Sequence, residues 1–471
     1  MDIFKRKTID EVLDGAKKNS GLKKTLGVGN LFLLGLGAII GTGIFGMTGI
    51  AAVNMSGPAV VLSYAIAGIT TIFIALAYTE IATMIPTSGG AYSYVFVAFG
   101  EIAAWMVSWM IMLYFFSAAS SVAACWSGYM VNMLAAGGIE IPMELVTNPA
   151  RGGIVNLPAL LLVVFVTFIL IRGSKESSLV NAILVAIKFV AIFLFVFVAV
   201  PHFDSTNWFH HNRPFQTDLL LSNPFLPFGI TGVISGAAFV FFAYNGFDAI
   251  AAAAEESKNP KRDITIAILG SLVVCMFLYM LVSALLVGII PFNLINIDSP
   301  IPGALSYNGH TIISSVIAGG VVIGMVSVIL AQLFALSRII LVTARDGLLP
   351  SFLSKINSKY HTPHNSILAI GIVVALLAGF VPLETVGTLS SVGALFSFMM
   401  VCMALVVLRH KYPDTKRPFK CPAIYLVSGV GIILCITLLI ASLAKVGIYA
   451  SIWAITGIIF YFSYYSFRVK Q

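Results

Sequence analysis

Apolar residues run along almost the whole chain in long blocks that short polar stretches separate. Twelve blocks approach or exceed the ~20 residues with which a helix crosses a bilayer. They cover roughly 28–54, 58–85, 101–135, 157–172, 177–201, 229–256, 263–290, 311–345, 365–381, 386–408, 423–444 and 446–467. The pattern predicts an all-α integral membrane protein with twelve transmembrane helices and short loops.

Composition agrees with a membrane protein, since 59% of the 471 residues are hydrophobic and 10% are charged. In soluble domains about 45–50% of residues are hydrophobic and about 25% are charged. If the N-terminus is cytoplasmic, Arg151, Arg213 and Lys445 fall in outer loops, Lys188 falls inside a block, and every other lysine and arginine falls on the inner side. This distribution predicts cytoplasmic N- and C-termini. The net charge of +8 then reflects topology and contact with membrane lipid, so we expect no nucleic-acid partner. Residues 1–27 lack the order of a cleavable signal peptide and are expected to form a partly helical cytoplasmic tail.

The first block contains LLGLGAIIGTGIFGMTG, residues 33–49. Close helix packing explains some of its glycines, and a dinucleotide-binding loop is excluded because no strand precedes it. Gly41-Thr42-Gly43 is different, because two glycines flank a hydroxyl residue at the middle of the block. A break there exposes N–H groups at the start of the second half-helix, which suit a carboxylate.

The sixth block is interrupted by Asn245-Gly246, a turn signal in the middle of an apolar run. Asp248 follows, either as a cap or first-turn acid of the resumed helix or as a group that couples transport. The start of block six lies five spans after the start of block one, so the two blocks cross the membrane in opposite directions. Interrupted helices in corresponding positions indicate an inverted-repeat transporter with its site at the membrane midplane.

Lys188 lies in NAILVAIKFVAIF, nine residues from Leu179 and twelve from Val200. At ~1.5 Å per residue both ends of the helix are more than ~13 Å away, beyond the reach of a lysine stem. A charge at mid-membrane costs on the order of 3 kcal/mol, and burial disfavours the charged form. Lys188 is therefore a structural partner of a backbone carbonyl, a substrate contact or a group that gains and loses a proton.

Three stretches, GAIIGTGIF at 37–45, YTEIATMIPTSGGAYSYV at 78–95 and AYNGFDAIAAAAEESKNPKRDI at 243–264, resemble the amino acid–polyamine–organocation superfamily. Within it, the chain is most similar to bacterial relatives of the cationic amino acid transporter family. The resemblance implies a LeuT-like fold with two inverted repeats of five helices. It divides the chain into the tail 1–27, a transport core 28–410, and residues 411–471 with a cytoplasmic loop, peripheral helices 11 and 12 and the C-terminal tail.

The resemblance also implies the site. The amides of the first break receive the substrate carboxylate, unwound carbonyls receive its ammonium, and Phe242 gates the substrate. The implied substrate-binding residues are Ile39, Ile40, Gly41, Thr42, Gly43, Phe242, Ala243 and Asn245. In proton-coupled relatives a lysine on segment 5 replaces a sodium ion, so Lys188 is expected to face the carbonyls of Gly37 and Ile40 and the hydroxyl of Ser327. Loss of its proton would free the inner half of segment 1.

The substrate is expected to be a small or branched neutral L-amino acid, taken up with protons by alternating access. Tyr114 stands where cationic members carry a glutamate, and Ala119 leaves room for a neutral side chain. A cationic amino acid transporter, an amino acid exchanger and a non-transporting amino acid sensor stay open as alternatives. The five scattered cysteines and the spacing of the histidines predict no metal site and no cofactor, and no polar cluster indicates an enzyme. We expect a multi-pass protein of the cell membrane, in the inner membrane of a bacterium, without an obligatory soluble partner.

Overall fold

The structure, a computed structural model, describes residues 5–18, 26–172, 177–209, 223–254, 257–357, 360 and 362–468. Within these ranges the chain is helical, with loops between the helices and no β-strand. Lys175, Arg213 and parts of the predicted tails lie outside the described residues. The α-helices are α1 Ile9–Lys18, α2 Val28–Ile39, α3 Thr48–Ala51, α4 Val60–Met84, α5 Gly90–Phe99, α6 Glu101–Ala136, α7 Leu157–Arg172, α8 Ser177–Ala199, α9 Thr206–Phe209, α10 Gly229–Val240, α11 Asp248–Ala252, α12 Pro260–Ile289, α13 Pro300–Tyr307, α14 Thr311–Arg345, α15 His364–Phe380, α16 Leu383–Lys411 and α17 Ile424–Arg468.

Eight helical stretches among the described residues are long and apolar enough to cross a membrane. Two of them are far longer than one crossing needs: Val28–Met84 has 57 residues and Ile424–Tyr464 has 41. Inside α17, Val446 departs from helical geometry with φ −125° and ψ 16°. This kink falls where the sequence predicts the boundary between its last two segments. The prediction of an integral membrane protein made of helices is therefore confirmed.

Large apolar side chains on the outer surface fit a lipid environment. Phe197 on α8 is 79% exposed, Ile312 on α14 is 80% exposed and Ile448 on α17 is 77% exposed. Apolar patches of this kind are rare on soluble monomers, and in a bilayer they contact acyl chains.

The short helices α5, α9 and α13 are absent from the pattern of predicted spans. Glycines with positive φ lie at both ends of α5, at Gly90 with φ +50° and at Gly100 with φ +102°. Because α5 has only 10 residues, it is too short to span a bilayer and leaves no block of its own in the hydropathy pattern. It is nevertheless buried between the longer helices along almost its whole length.

The tail before the first block begins with a capping box. The Thr8 amide donates to Glu11 Oε2 at 2.8 Å, and the Glu11 amide donates to Thr8 Oγ1 at 3.2 Å. These bonds satisfy donors that the first turn of α1 would otherwise leave free. Just before the box, Lys7 pairs with Asp346 beyond the end of α14 at 2.5 Å. The tail is partly helical, as predicted.

A buried carboxylate joins α4 to the loop between α16 and α17. Glu80 is fully buried and accepts two hydrogen bonds from Arg409, at 2.8 and 2.7 Å. It also pairs with Arg417 at 3.1 Å and accepts the Cys421 amide at 2.6 Å. Buried ion pairs keep their charges only when both partners are well bonded, and here the bonds fasten the loop to the helix bundle.

Candidate functional site

The first predicted break is present in the backbone. Helix α2 ends at Ile39, and Ile40 has an extended conformation with φ −75° and ψ 101°. The chain becomes helical again in a π-helical turn, Gly43–Met47, that continues into α3. Two half-helices therefore meet at Gly41 and Thr42, which are buried.

The second predicted break is also present. After α10 the chain forms a 3₁₀ turn, Phe241–Tyr244, and Asn245 is then extended with φ −65° and ψ 145°. Gly246 has φ +113°, a conformation that side-chain-bearing residues seldom adopt. The helix resumes as α11, whose first residue is Asp248. The turn signal read in the sequence corresponds to this interruption.

The two breaks touch each other. A Cβ added to Gly43 would lie 2.3 Å from the Cα of Ala243, and one added to Gly246 would lie 2.8 Å from the carbonyl oxygen of Ala38. Only hydrogen atoms fit at these two positions. The structure therefore brings together the residues that the sequence assigned to the substrate site from segments one and six.

Lys188 on α8 bonds to the end of α2. Its Nζ donates to the carbonyls of Gly37 at 2.9 Å and Ile40 at 2.8 Å, and its side chain is fully buried. In an unbroken helix these carbonyls would accept the amides of residues 41 and 44. The ammonium thus replaces two donors that the break removes. Both predicted carbonyl contacts are confirmed, while the coupling role stays a prediction.

No hydrogen bond joins Lys188 to Ser327 among the described residues, so the predicted hydroxyl partner is not observed. The Ser327 hydroxyl donates to the Gly324 carbonyl of its own helix, α14, at 2.9 Å. The aliphatic stem of Lys188 lies against Gly324, where an added Cβ would be 2.5 Å from Lys188 Cγ. Because Gly324 has no side chain, the Lys188 stem can pass across α14 at this position. Its ammonium then reaches the carbonyls at the end of α2.

Three buried tyrosines, which the sequence analysis did not single out, bond to the breaks. Tyr279 on α12 donates to the Ile39 carbonyl at 2.8 Å and also contacts the Ala243 carbonyl at 3.1 Å. Tyr64 donates to the Gly43 carbonyl at 2.6 Å, and Tyr129 donates to the Phe45 carbonyl at 2.6 Å. A phenol inside an apolar helix needs a hydrogen-bond partner, and that requirement was the available signal.

Some buried polar atoms near the breaks have no hydrogen-bond partner in the described structure. They include Asn245 Oδ1 at the second break, while Thr42 Oγ1 at the first has only the Cys125 thiol, a weak hydrogen-bonding group, beside it. Two hydroxyls of α6, Ser117 and Ser121, are in the same condition. Asn245 Nδ2 is 3.4 Å from Ser390 Oγ. Unpartnered buried polar groups are costly, so those at the breaks can gain hydrogen bonds from a ligand.

Tyr114 and Asp248, predicted for separate roles, are hydrogen-bonded to each other. The Tyr114 hydroxyl donates to Asp248 Oδ1 at 3.1 Å. Asp248 lies in the first turn of α11, as predicted, while the N-cap position itself is Phe247. A small cavity of about 10 Å³ beside Asp248 has room for about one water molecule. Ala119 on α6 is buried.

No group of three or more potential metal ligands occurs among the described residues. The polar groups at the breaks are instead backbone amides and carbonyls, hydroxyls and a side-chain amide. This set can form hydrogen bonds with both the carboxylate and the ammonium of a small zwitterion.

These features define a class of protein: a multi-pass helical membrane protein whose site is formed by two interrupted helices in contact. Residues 26–464 match the family model described as amino acid permease, and the chain belongs to that family. The resemblance noted in the sequence is therefore confirmed. The chain is a permease located in the cell membrane, and not an enzyme.

Relatives extend over nearly the whole chain. It is 38% identical over 468 residues to a branched-chain amino acid permease of Bacillus subtilis, covering 98% of this chain and 97% of the relative. It is 36% identical over 464 residues to a methylthioribose transporter of the same organism, covering 98% and 97%. It is 35% identical over 418 residues to cationic amino acid transporter 4 of Arabidopsis thaliana, covering 88% of this chain and 68% of the relative.

Proposed function

We propose that this permease is a secondary active transporter that takes up small or branched neutral L-amino acids together with protons, by alternating access. The observation that carries the proposal is the contact between the two breaks, one of which has a buried lysine on its free carbonyls. Such a site can bind an amino acid and respond to a proton without any catalytic group.

The proposed architecture is a LeuT-like fold with twelve spans and both termini in the cytoplasm. Support comes from the two over-long stretches, each long enough for two spans, and from α7 and α15, with 16 and 17 residues, which are close to spanning length. Helix α4 packs on α12 and α6 packs on α14, as expected when second and third segments of two inverted repeats meet their counterparts. The core is residues 28–410, and the tail 1–27 and region 411–471 lie outside it.

The charges near the breaks support a specific orientation of the substrate. Lys188 neutralises the C-terminal end of α2, and Asp248 lies at the N-terminal start of α11. Each opposes the partial charge of its half-helix end. Two ends have no such counter-charge: the N–H groups of residues 41–43 and the carbonyls of residues 242–243. We assign the substrate carboxylate to the former and its ammonium to the latter.

Proton coupling follows from Lys188. The charged ammonium ties α8 to the end of α2, and a neutral amine has a weaker hold on two carbonyls. Deprotonation then releases the inner half of the first broken helix, so that proton transfer and substrate release occur together.

The neutral substrate class is supported by the names of two relatives and by the hydrogen bond of the buried carboxylate. The branched-chain permeases of Bacillus subtilis and Lactococcus lactis are 38% and 32% identical to this chain. Asp248, the carboxylate beside the second break, already accepts a hydrogen bond from Tyr114. A cationic substrate would compete for it. The methylthioribose and cationic relatives make those compounds necessary competitors in any test.

The test is uptake into proteoliposomes, with and without an inward proton gradient. The panel contains labelled leucine, isoleucine, valine, alanine, arginine and methylthioribose, and the variants are Lys188→Met and Lys445→Met. Lys445 is a matched control, because its Nζ contacts Met55 Sδ away from the breaks. We expect gradient-driven accumulation of neutral amino acids, reduced at least a hundredfold in Lys188→Met and unchanged in Lys445→Met.

Other outcomes have distinct meanings. Gradient-driven uptake that survives Lys188→Met contradicts the coupling role. Exchange at a rate that does not depend on the gradient identifies an antiporter. Preferential uptake of arginine or methylthioribose shows that this compound, and not a neutral amino acid, is the substrate. Specific binding of an amino acid without uptake or exchange identifies a sensor.

A further inference from the structure

Two histidines face each other at the surface, away from the breaks. His202 is the last residue of the 3₁₀ turn that follows α8, and His310 immediately precedes α14. Their Nε2 atoms are 3.2 Å apart. The ring centroids are 4.7 Å apart and the rings are inclined by 81°.

A backbone carbonyl determines which ring nitrogen of His202 carries the proton. The His202 Nδ1 atom lies 2.9 Å from the carbonyl oxygen of Val198. Because a carbonyl only accepts, Nδ1 carries the proton and Nε2 keeps its lone pair when the ring is neutral. This is the arrangement in which a histidine binds a metal through Nε2, with its other nitrogen oriented by a carbonyl.

The separation of the two nitrogens matches a shared metal ion. Zinc binds imidazole nitrogen at about 2.0–2.1 Å in tetrahedral geometry, which places two such nitrogens about 3.3 Å apart. A cation can therefore replace the proton between the rings with little movement of either helix. Imidazole pairs select Zn²⁺, Cu²⁺ and Ni²⁺ over Mg²⁺ and Ca²⁺, which prefer oxygen.

We propose that His202 and His310 form a binding site for a divalent transition metal, with Zn²⁺ as the probe, that ties the end of α8 to the start of α14. The site has two protein ligands in the described structure, and water completes the coordination. Two ligands give micromolar rather than structural affinity. The site links the same two helices that the Lys188 stem joins at Gly324.

The test is calorimetric titration of ZnCl₂ into the chelator-treated, purified full-length protein in detergent. We expect one ion per chain with micromolar affinity, weakened at least tenfold in His202→Ala and in His310→Ala. Because His202 is exposed and His310 is only half-buried, these variants are expected to fold, and equal size-exclusion profiles verify this. Zn²⁺ should also raise the midpoint of thermal unfolding of the wild type and not of either variant, since a ligand stabilises the state that binds it.

Two controls locate the site. His410→Ala removes an exposed histidine that contacts Tyr425, and a double variant His210→Ala/His211→Ala removes the neighbouring histidine pair in the sequence. Both are expected to bind Zn²⁺ like the wild type. Wild-type affinity in His202→Ala and His310→Ala, or loss of binding in either control alone, overturns the proposal.

A consequence for uptake rests on the proposed transport function. Zn²⁺ is expected to slow uptake by the wild type at least threefold and to leave uptake by His310→Ala unchanged. Binding without inhibition contradicts only this consequence. Absence of uptake in the metal-free wild type contradicts the proposed function and leaves the calorimetric result intact.

Discussion

The polar groups at the two breaks find their hydrogen-bond partners in different ways. At the first break, side chains donate to a series of carbonyls that lie at and beside the interruption: Gly37, Ile39, Ile40, Gly43 and Phe45. At the second, the Tyr279 hydroxyl contacts the Ala243 carbonyl, while Asn245 Oδ1 has no partner in the described structure. The first interruption is therefore stabilised mainly by the protein's own donors, and the second leaves an acceptor free.

The charged side chains at the two breaks, Lys188 and Asp248, have opposite signs because they lie at opposite kinds of helix end. A half-helix that ends presents carbonyls and attracts a cation, here Lys188, whereas a half-helix that begins presents amides and tolerates an anion, here Asp248. Interrupted helices thus create four charged ends in a medium that disfavours charge. Two of them are compensated by side chains, and the substrate of the proposed transport cycle compensates the other two.

Among substitutions in the two breaks themselves, the largest effect is expected from adding one carbon atom where the breaks meet. Gly43→Ala places a Cβ 2.3 Å from the backbone of Ala243, so the backbone must move, at a cost of about 1–3 kcal/mol. Gly246→Ala adds strain at φ +113°, also about 1–3 kcal/mol. We expect each variant to lose at least tenfold in uptake rate per correctly folded protein.

The matched control for these variants is Gly319→Ala on α14, where an added Cβ has no neighbour within 4 Å. It should transport like the wild type. Full activity in Gly43→Ala would show that the breaks are farther apart in the working protein, and the assignment of a shared site would then fail.

Prediction from sequence succeeded where one residue type has one physical explanation. A lysine far from both ends of an apolar segment cannot reach water and needs a polar partner, and the resemblance to proton-coupled relatives then named the carbonyls of Gly37 and Ile40. Asn-Gly inside an apolar block predicts a turn, because glycine alone accepts the positive φ found at Gly246. The ends of most long helices also follow directly from hydropathy.

Prediction failed where the outcome depends on packing between distant segments. Ser327 was chosen by its position on segment 8, but no hydrogen bond joins it to Lys188 among the described residues, and the lysine stem lies against Gly324 on that helix. Tyr279 could not be assigned, because many buried tyrosines have the same composition signal and the partner carbonyls lie about 240 and 36 residues away. Helix α5 was missed because ten residues leave no membrane-spanning pattern.

A smaller effect is expected at the tyrosine that joins the breaks. Tyr279→Phe removes the hydroxyl from both the Ile39 and the Ala243 carbonyl, and unsatisfied buried groups cost about 1–3 kcal/mol. We expect a lower midpoint of thermal unfolding and uptake reduced about threefold to tenfold. Tyr449→Phe, at a side chain that is 60% exposed, should change neither quantity. An unchanged midpoint in Tyr279→Phe would mean that the two breaks are not joined through this phenol.

Asp248→Asn distinguishes a helix-end charge from a coupling group. The amide keeps the shape and can still accept from Tyr114, so only the interaction of the charge with α11 is lost, about 0.3–2 kcal/mol. We expect uptake within about fivefold of the wild type and full stimulation by the proton gradient, measured in proteoliposomes at several external pH values. Loss of gradient stimulation with retained exchange would assign a coupling role to Asp248 and weaken the exclusive role of Lys188.

The smallest effect on stability, with the opposite sign, is expected at Thr42. Its hydroxyl is buried beside the Cys125 thiol, a weak hydrogen-bonding group, so Thr42→Val replaces a poorly compensated polar group by a methyl group of nearly the same volume. The midpoint of thermal unfolding without substrate should stay constant or rise, by up to about 1 kcal/mol of unfolding free energy, while the KM for the substrate rises about threefold to tenfold. Thr437→Val, at an exposed helix position whose hydroxyl bonds to Ile433, should leave KM unchanged. A raised midpoint together with a raised KM would show that the Thr42 hydroxyl is kept for the substrate at a cost in stability. A lower midpoint with an unchanged KM would make Thr42 a structural residue of the first break.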